Sequence, residues 1–243
     1  PPGTPLEIRY RITDQEGYTL DTPVVKLDYL DPRFDWQWLS HGPVTAIYHD
    51  LPDKEINETL KMAVDTLPVI EATIGIRSLG PYRGVIINTE LEADKAFPMI
   101  SEASRNPHAF RGFAFARNNV FVLWGNDHRA FIHELSHLLI QEVISSPIGR
   151  VPAWLDEGLA TFFETGNTAA TSQRLRQIKG VESAMAIRLM NTVPGVTTDI
   201  PMFYAKSGNF TGYLIEQFGH LKVAELLFHL NQGTAIEDAI TIT

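Results

Sequence analysis

The chain has 243 residues, 44% of them hydrophobic, with no cysteine and a formal net charge of -9. That length supports one large domain, or one domain plus a small appendage, around a sizeable core. The acidic balance and the lack of a Lys/Arg-rich run argue against a nucleic-acid partner. No apolar run reaches the roughly 18 to 20 residues of a spanning helix, and disulfides and thiolate metal sites are excluded.

The chain opens on Pro1-Pro2-Gly3-Thr4-Pro5 without a methionine, which reads as a form cut inside a longer precursor. An extracytoplasmic or membrane-anchored location through a removed leader is compatible with that opening, and the location is left open. Leu6, Ile8, Tyr10 and Ile12 alternate with polar neighbours, and Asp14-Gln15-Glu16-Gly17 turns the chain into a second extended run near 18 to 30, predicting a β hairpin. DPRFDWQWLSHG reads as an irregular aromatic connector. The expected division is a hairpin segment over 1–37 and a main domain over 38–243.

The main domain opens with a strand at 43 to 49, a helix at about 53 to 75 and a strand at 83 to 89. Leu60, Ala63, Val64, Leu67, Ile70 and Ile74 recur on one side of that helix. In GFAFARNNVFVLW two apolar runs flank Arg117-Asn118-Asn119, a hairpin signature. From Asn126 onward the pattern is almost wholly helical. The fold class is therefore α+β, a small mixed sheet with an edge hairpin followed by a mainly helical C-terminal half.

Within that half, AFIHELSHLLI places two imidazoles and a carboxylate on an apolar helix that has no structural need of them. His133 and His137 are four residues apart, so their side chains stack on one helix face at a spacing that grips a single ion. Glu134 lies about 100° further round, within reach of a metal-bound water without being a ligand. Catalytic zinc takes three protein ligands plus water, and two histidines with a glutamate form one known set. Glu157 follows His137 by twenty residues. That gap lets the first helix end at Ser145-Ser146-Pro147-Ile148-Gly149 and a second helix return antiparallel, with Glu157 near its start.

HELSH, a nineteen-residue spacer and WLDEGLATFFE together resemble the gluzincin group of zinc metallopeptidases. The wording is closer to the aminopeptidase N-like branch and to the broader peptidase MA-like domains than to thermolysin. The resemblance implies a zincin-like catalytic domain and one zinc per chain, with His133, His137 and Glu157 as metal ligands. It also implies that Glu134 accepts the proton of the attacking water and that a peptide or protein is the substrate. MFYAKSGNFTGYLIEQFG resembles the Tyr-x-Lys-Gly helix of the aminopeptidase branch, which gives Tyr204 the oxyanion-stabilising role, with Lys206 matching the lysine and Ser207 replacing the glycine. Tyr213 is the competing tyrosine, read otherwise as a core aromatic beside Leu214. That branch also carries Gly-x-Met-Glu-Asn before the zinc helix to capture the substrate's amino terminus. An ungapped match puts Phe115 at that glutamate's place, so an endopeptidase-like activity is expected, with Glu102 or Asp127 as the acids to consider if a free amine is required after all.

Thr161 and Asp156 are candidates to hold a ligand imidazole from behind. His108, His128, His220 and His229 read as ordinary surface or core residues. Two other classes remain compatible with the same residues: a metal-free or inactive relative that uses the groove for binding, and a zinc hydrolase of a nonpeptide amide. Metal analysis separates the first from an enzyme, and substrate profiling separates the second from a peptidase.

Overall fold

The computed structural model describes residues 1–98, 110–166, 168–178 and 186–243. The predicted N-terminal hairpin is present but broken in two. β1 (Thr4–Ile8) pairs antiparallel with β4 (Val25–Tyr29), and β2 (Arg11–Thr13) pairs with β3 (Thr19–Asp21). The ribbon is tied to the main sheet by an ion pair between Arg83 and Asp28 and by Gly3, whose backbone lies so close to Val85 that an added Cβ would sit 2.4 Å from its Cγ2.

The aromatic connector is not irregular throughout. Gln37–His41 forms β5, which pairs antiparallel with β6 (Val44–Tyr48). Most of β5 is exposed or half-exposed, which explains why no buried-strand pattern marks it in the sequence. β6 runs parallel to β7 (Tyr82–Ile87), β7 parallel to β9 (Val120–Trp124), and β8 (Gly112–Phe115) antiparallel to β9. Among the described residues the order β5-β6-β7-β9-β8 leaves β8 with a free edge. Both faces of the central strands are covered, which accounts for their continuous apolar runs. Tyr82, Ile86, Phe121 and Leu123 join the large core under the helices, whereas Val85, Ile87, Val120 and Val122 join a smaller cluster on the opposite face.

Helix α1 (Asp53–Ile74) buries Ile56, Leu60, Ala63, Leu67, Ile70 and Ile74 against the large core. A short α2 (Glu90–Ala96), closed by a Thr89/Glu92 capping box, follows β7. α3 (His128–Val143) and α4 (Ala153–Thr165) come next, then α5 (Thr168–Gln177), α6 (Ile200–Phe218), α7 (His220–Asn231) and α8 (Ile236–Ile242). The α+β class and the helical C-terminal half are as the sequence predicts. Among the described residues no helix is long and apolar enough to cross a membrane.

Candidate metal centre and cleft

α3 begins where Asp127 accepts hydrogen bonds from the backbone N–H groups of Arg129 and Ala130 at 2.9 and 3.4 Å. The helix then buries Phe131, Leu135, Leu138 and Leu139 in the core and turns His133 and His137 toward α4. α4 starts after Pro152 and ends at Gly166, where the left-handed conformation (φ 73°) stops the helix. His133 meets Glu164 near the end of α4 and His137 meets Asp156 near its start, so the two helices are antiparallel, as the spacer length requires.

The predicted ligand set converges. Glu157 Oε2 lies 3.2 Å from His133 Nε2 and 3.4 Å from His137 Nε2, and one donor atom from each of the three residues falls within 4.8 Å of the others. Ligands held tetrahedrally at about 2.0 to 2.2 Å are separated from one another by about 3.3 to 3.6 Å. The donor set therefore fits a zinc ion in both chemistry and spacing. The remaining ring nitrogens are held as well: His133 Nδ1 lies 2.9 Å from Glu164 Oε2 and His137 Nδ1 3.0 Å from Asp156 Oδ1. Carboxylates behind the imidazoles fix the ring orientation and raise ligand basicity.

Asp156 thus has the supporting position anticipated for it. Thr161 does not: Glu164 and Asp156 take both Nδ1 atoms, and the Thr161 methyl group packs against Gly208 of α6. Sequence reasoning missed Glu164, although its spacing of seven from Glu157 put it on the same helix face.

Electrostatics follow from this crowding. Burial alone pulls the His133 imidazole down, but hydrogen bonds to Glu157 and Glu164 overcome it and raise its pKa to about 9. His137 is likewise lowered by burial but held well above an ordinary histidine by Asp156 and Glu157. Burial pushes Glu157 up, yet the His137 charge and the hydrogen bonds from both imidazoles bring it below the usual carboxylate range. Glu134 goes the other way, because burial raises its pKa and the neighbouring histidine charges offset that only in part.

Two close approaches bring the other walls to this centre. An added Cβ at Gly112 would lie 2.7 Å from Glu134 Cγ, so a side chain there would drive β8 off Glu134. On α4, an added Cβ at Gly158 would lie 2.2 Å from Thr211 Oγ1 and 2.6 Å from the Ser207 carbonyl oxygen, which shows how tightly α6 is laid on α4. That contact carries Tyr204 into the cleft, its ring 5.8 Å from that of His133 and edge-on to it. Burial first, then the charges of Glu157 and Glu134, keep its phenol protonated far above the ordinary range. Tyr213 lies elsewhere: it is 49% exposed and stacked on Phe210, a surface residue rather than the core aromatic anticipated.

The cleft around these residues has a volume of about 1070 Å3. Its floor is one stripe of α3, Arg129, His133, His137 and Gln141, each one turn from the next. Ala114 and Ala116 pack toward the helical side of the sheet, whereas Phe115 packs into the cluster on the opposite face. Phe115 is therefore turned away from the cleft, and no carboxylate stands on β8. Asp127 lines the opposite end, beside Arg129. Glu102 and His108 lie outside the described residues.

The fold recurs in known structures. Yeast LTA4 hydrolase superposes with a TM-score of 0.51 at 13% identity, covering 98% of this chain and 41% of that one. An M1 zinc metallopeptidase from Deinococcus radiodurans gives 0.51 at 13% identity, covering 99% of this chain and 57% of that one. The chain thus spans 41% to 57% of the length of these proteins. No curated protein matches the sequence. The Peptidase MA superfamily matches over residues 108–243, which contain both helices of the candidate metal site, the edge strand and the Tyr204 helix, and cover more than half of the chain. The chain belongs to the Peptidase MA superfamily.

Proposed function

We propose that this protein is a zinc-dependent metallopeptidase that cleaves peptide bonds within a chain. The observation that carries the reading is the convergence of His133, His137 and Glu157 donor atoms at zinc-like spacing beside a buried Glu134. A bound zinc would lower the pKa of water toward about 7 and polarise a substrate carbonyl.

The chain's own residues supply the rest. Glu134 is buried on the cleft wall, and its raised proton affinity suits it to take the proton of the attacking water and pass it to the leaving nitrogen. The Tyr204 hydroxyl, kept protonated, is a donor for charge that develops on the carbonyl oxygen. Glu164 and Asp156 hold the two imidazoles with Nε2 turned toward Glu157. The free edge of β8 offers backbone groups to an extended substrate that adds as another strand.

Cleavage within a chain is favoured over removal of an N-terminal residue by the shape of the cleft. Arg129 to Gln141 spans twelve residues of helix, about 18 Å at 1.5 Å per residue. An extended peptide rising about 3.3 Å per residue fills that length with about five residues. The histidines sit midway, which leaves space on both sides of the scissile bond. At the Gln141 end, Ala116 and Gln141 also border a second recess of about 550 Å3 that reaches Leu79 and Ile144, so among the described residues that end is not closed. The carboxylate there, Glu142, is already engaged by Tyr82 and by the Leu79 N–H.

The test compares kcat/KM for one peptide with a free and with an acetylated N-terminus. The acetylated form is expected to be cleaved at least as well. A preference of about a hundredfold for the free amine, about 2.7 kcal/mol of discrimination, would make the enzyme an aminopeptidase.

A further inference from the structure

The end of the cleft away from Gln141 carries two cations in an acidic protein. Arg111, immediately before β8, and Arg129, in the first turn of α3 on the cleft floor, both line this cleft. Neither side chain has a hydrogen bond or ion pair among the described residues, whereas Arg11, Arg33 and Arg83 each hold an aspartate. Asp127, which lines the same cleft, spends an oxygen capping α3. Arg129 stands one helical turn before His133, about 6 Å along the axis, which is about two residues of extended peptide.

We propose that Arg111 and Arg129 form a carboxylate-binding subsite, which selects substrates bearing an anionic group one or two residues from the scissile bond on the side facing α3's start. This rests on the peptidase reading for its purpose but not for its binding chemistry. The carboxylate has two sources, an Asp or Glu side chain within the peptide or the peptide's own C-terminus. Guanidinium groups suit either, since their planar donors match a carboxylate in pairs. Two exposed ion pairs together favour the anionic peptide by about two- to thirtyfold.

The experiment uses Glu134→Gln protein loaded with zinc, so that binding is read without turnover, and dye-labelled peptides followed by fluorescence anisotropy. One series moves a single Glu or Gln through the positions flanking the cleavable bond, with the C-terminus amidated. A second carries no acidic side chain and ends in a carboxylate or an amide. Glu over Gln by about two- to thirtyfold at one or two adjacent positions, reduced toward unity in Arg111→Gln/Arg129→Gln and by raising salt to 0.5 M, is the expected result, the range of two exposed ion pairs. A preference confined to the second series assigns the subsite to the C-terminal carboxylate. Equal binding of Glu and Gln, and of acid and amide, or a preference that survives the double substitution, overturns the proposal. Failure of wild-type protein to hydrolyse peptides that it binds with this preference would instead refute the peptidase reading and leave the subsite standing.

Discussion

Zinc affinity should depend on pH well into the alkaline range. In the metal-free fold His133 has a pKa of about 9, and His137 is raised as well, because each imidazole lies between Glu157 and a second carboxylate. His133 is therefore protonated at pH 7, His137 is shifted in the same direction, and a protonated ring must lose its proton to become a ligand. For His133 alone, a shift of about two units above pH 7 corresponds to about 2.7 kcal/mol, or about a hundredfold loss of apparent affinity relative to fully neutral imidazole. The sign is fixed: lower pH fills the rings with protons and weakens binding, and higher pH strengthens it. With at least the His133 proton displaced, affinity is expected to rise about tenfold or more per pH unit between pH 6 and 7, and to keep rising until about pH 9. Competition against a chromophoric chelator, corrected for the chelator's own titration at each pH, measures the slope. Calorimetry in two buffers of different ionisation enthalpy counts the protons. Two ordinary imidazoles would confine the change to below about pH 6.5. A plateau beginning there, with less than one proton released at pH 7, would refute the reasoning about the paired carboxylates.

Three further outcomes follow from the packing around the site. Tyr204→Phe is expected to lower kcat by about 10²-fold or more with little change in KM, the scale of one oxyanion donor; the same signature from the exposed Tyr213→Phe instead would exchange the two assignments. Glu164→Ala, which removes the carboxylate behind His133, is expected to weaken zinc binding by about 10- to 100-fold when measured above about pH 9, where protons no longer compete for the ring, while the circular dichroism spectrum is retained. Unchanged zinc affinity would leave Glu164 no part in holding the ring. Gly158→Ala forces a methyl group against Ser207 and Thr211 and is expected to cost about 1 to 3 kcal/mol in denaturant unfolding. A neutral result would mean that α4 and α6 are not held together as closely as described.

The parts legible in the sequence are those governed by short, regular spacing. His133, His137 and Glu134 follow from helix geometry, and the Ser145–Gly149 break followed by Pro152 accounts for the antiparallel return that brings Glu157 back to them. The β8–β9 hairpin was visible because Asn119 takes a left-handed conformation (φ 50°) at the turn, a position asparagine tolerates. β5 was not visible, because an exposed strand held by pairing to β6 carries no burial pattern of its own. Nor does the sequence say which way Phe115 points: the strand's two-residue period separates Ala114 from Phe115, but only the packed sheet says which face meets the cleft. The subsite at Arg111 and Arg129 needed the tertiary fold for the same reason, since eighteen residues and a whole hairpin separate two side chains that share one space.

The central claim is that His133, His137 and Glu157 hold a zinc ion with which Glu134 hydrolyses peptide bonds. Its most direct test is one preparation each of wild-type and Glu134→Gln protein, assayed for bound zinc and for cleavage of an N-acetylated, internally quenched peptide library. One zinc per chain in both proteins, internal cleavage by the wild type, and a loss of turnover of about 10² to 10⁴-fold in the variant, the scale of a general base, are expected. Stoichiometric zinc without cleavage of any peptide by the wild type, or a Glu134→Gln variant that cleaves as fast as the wild type, would contradict it.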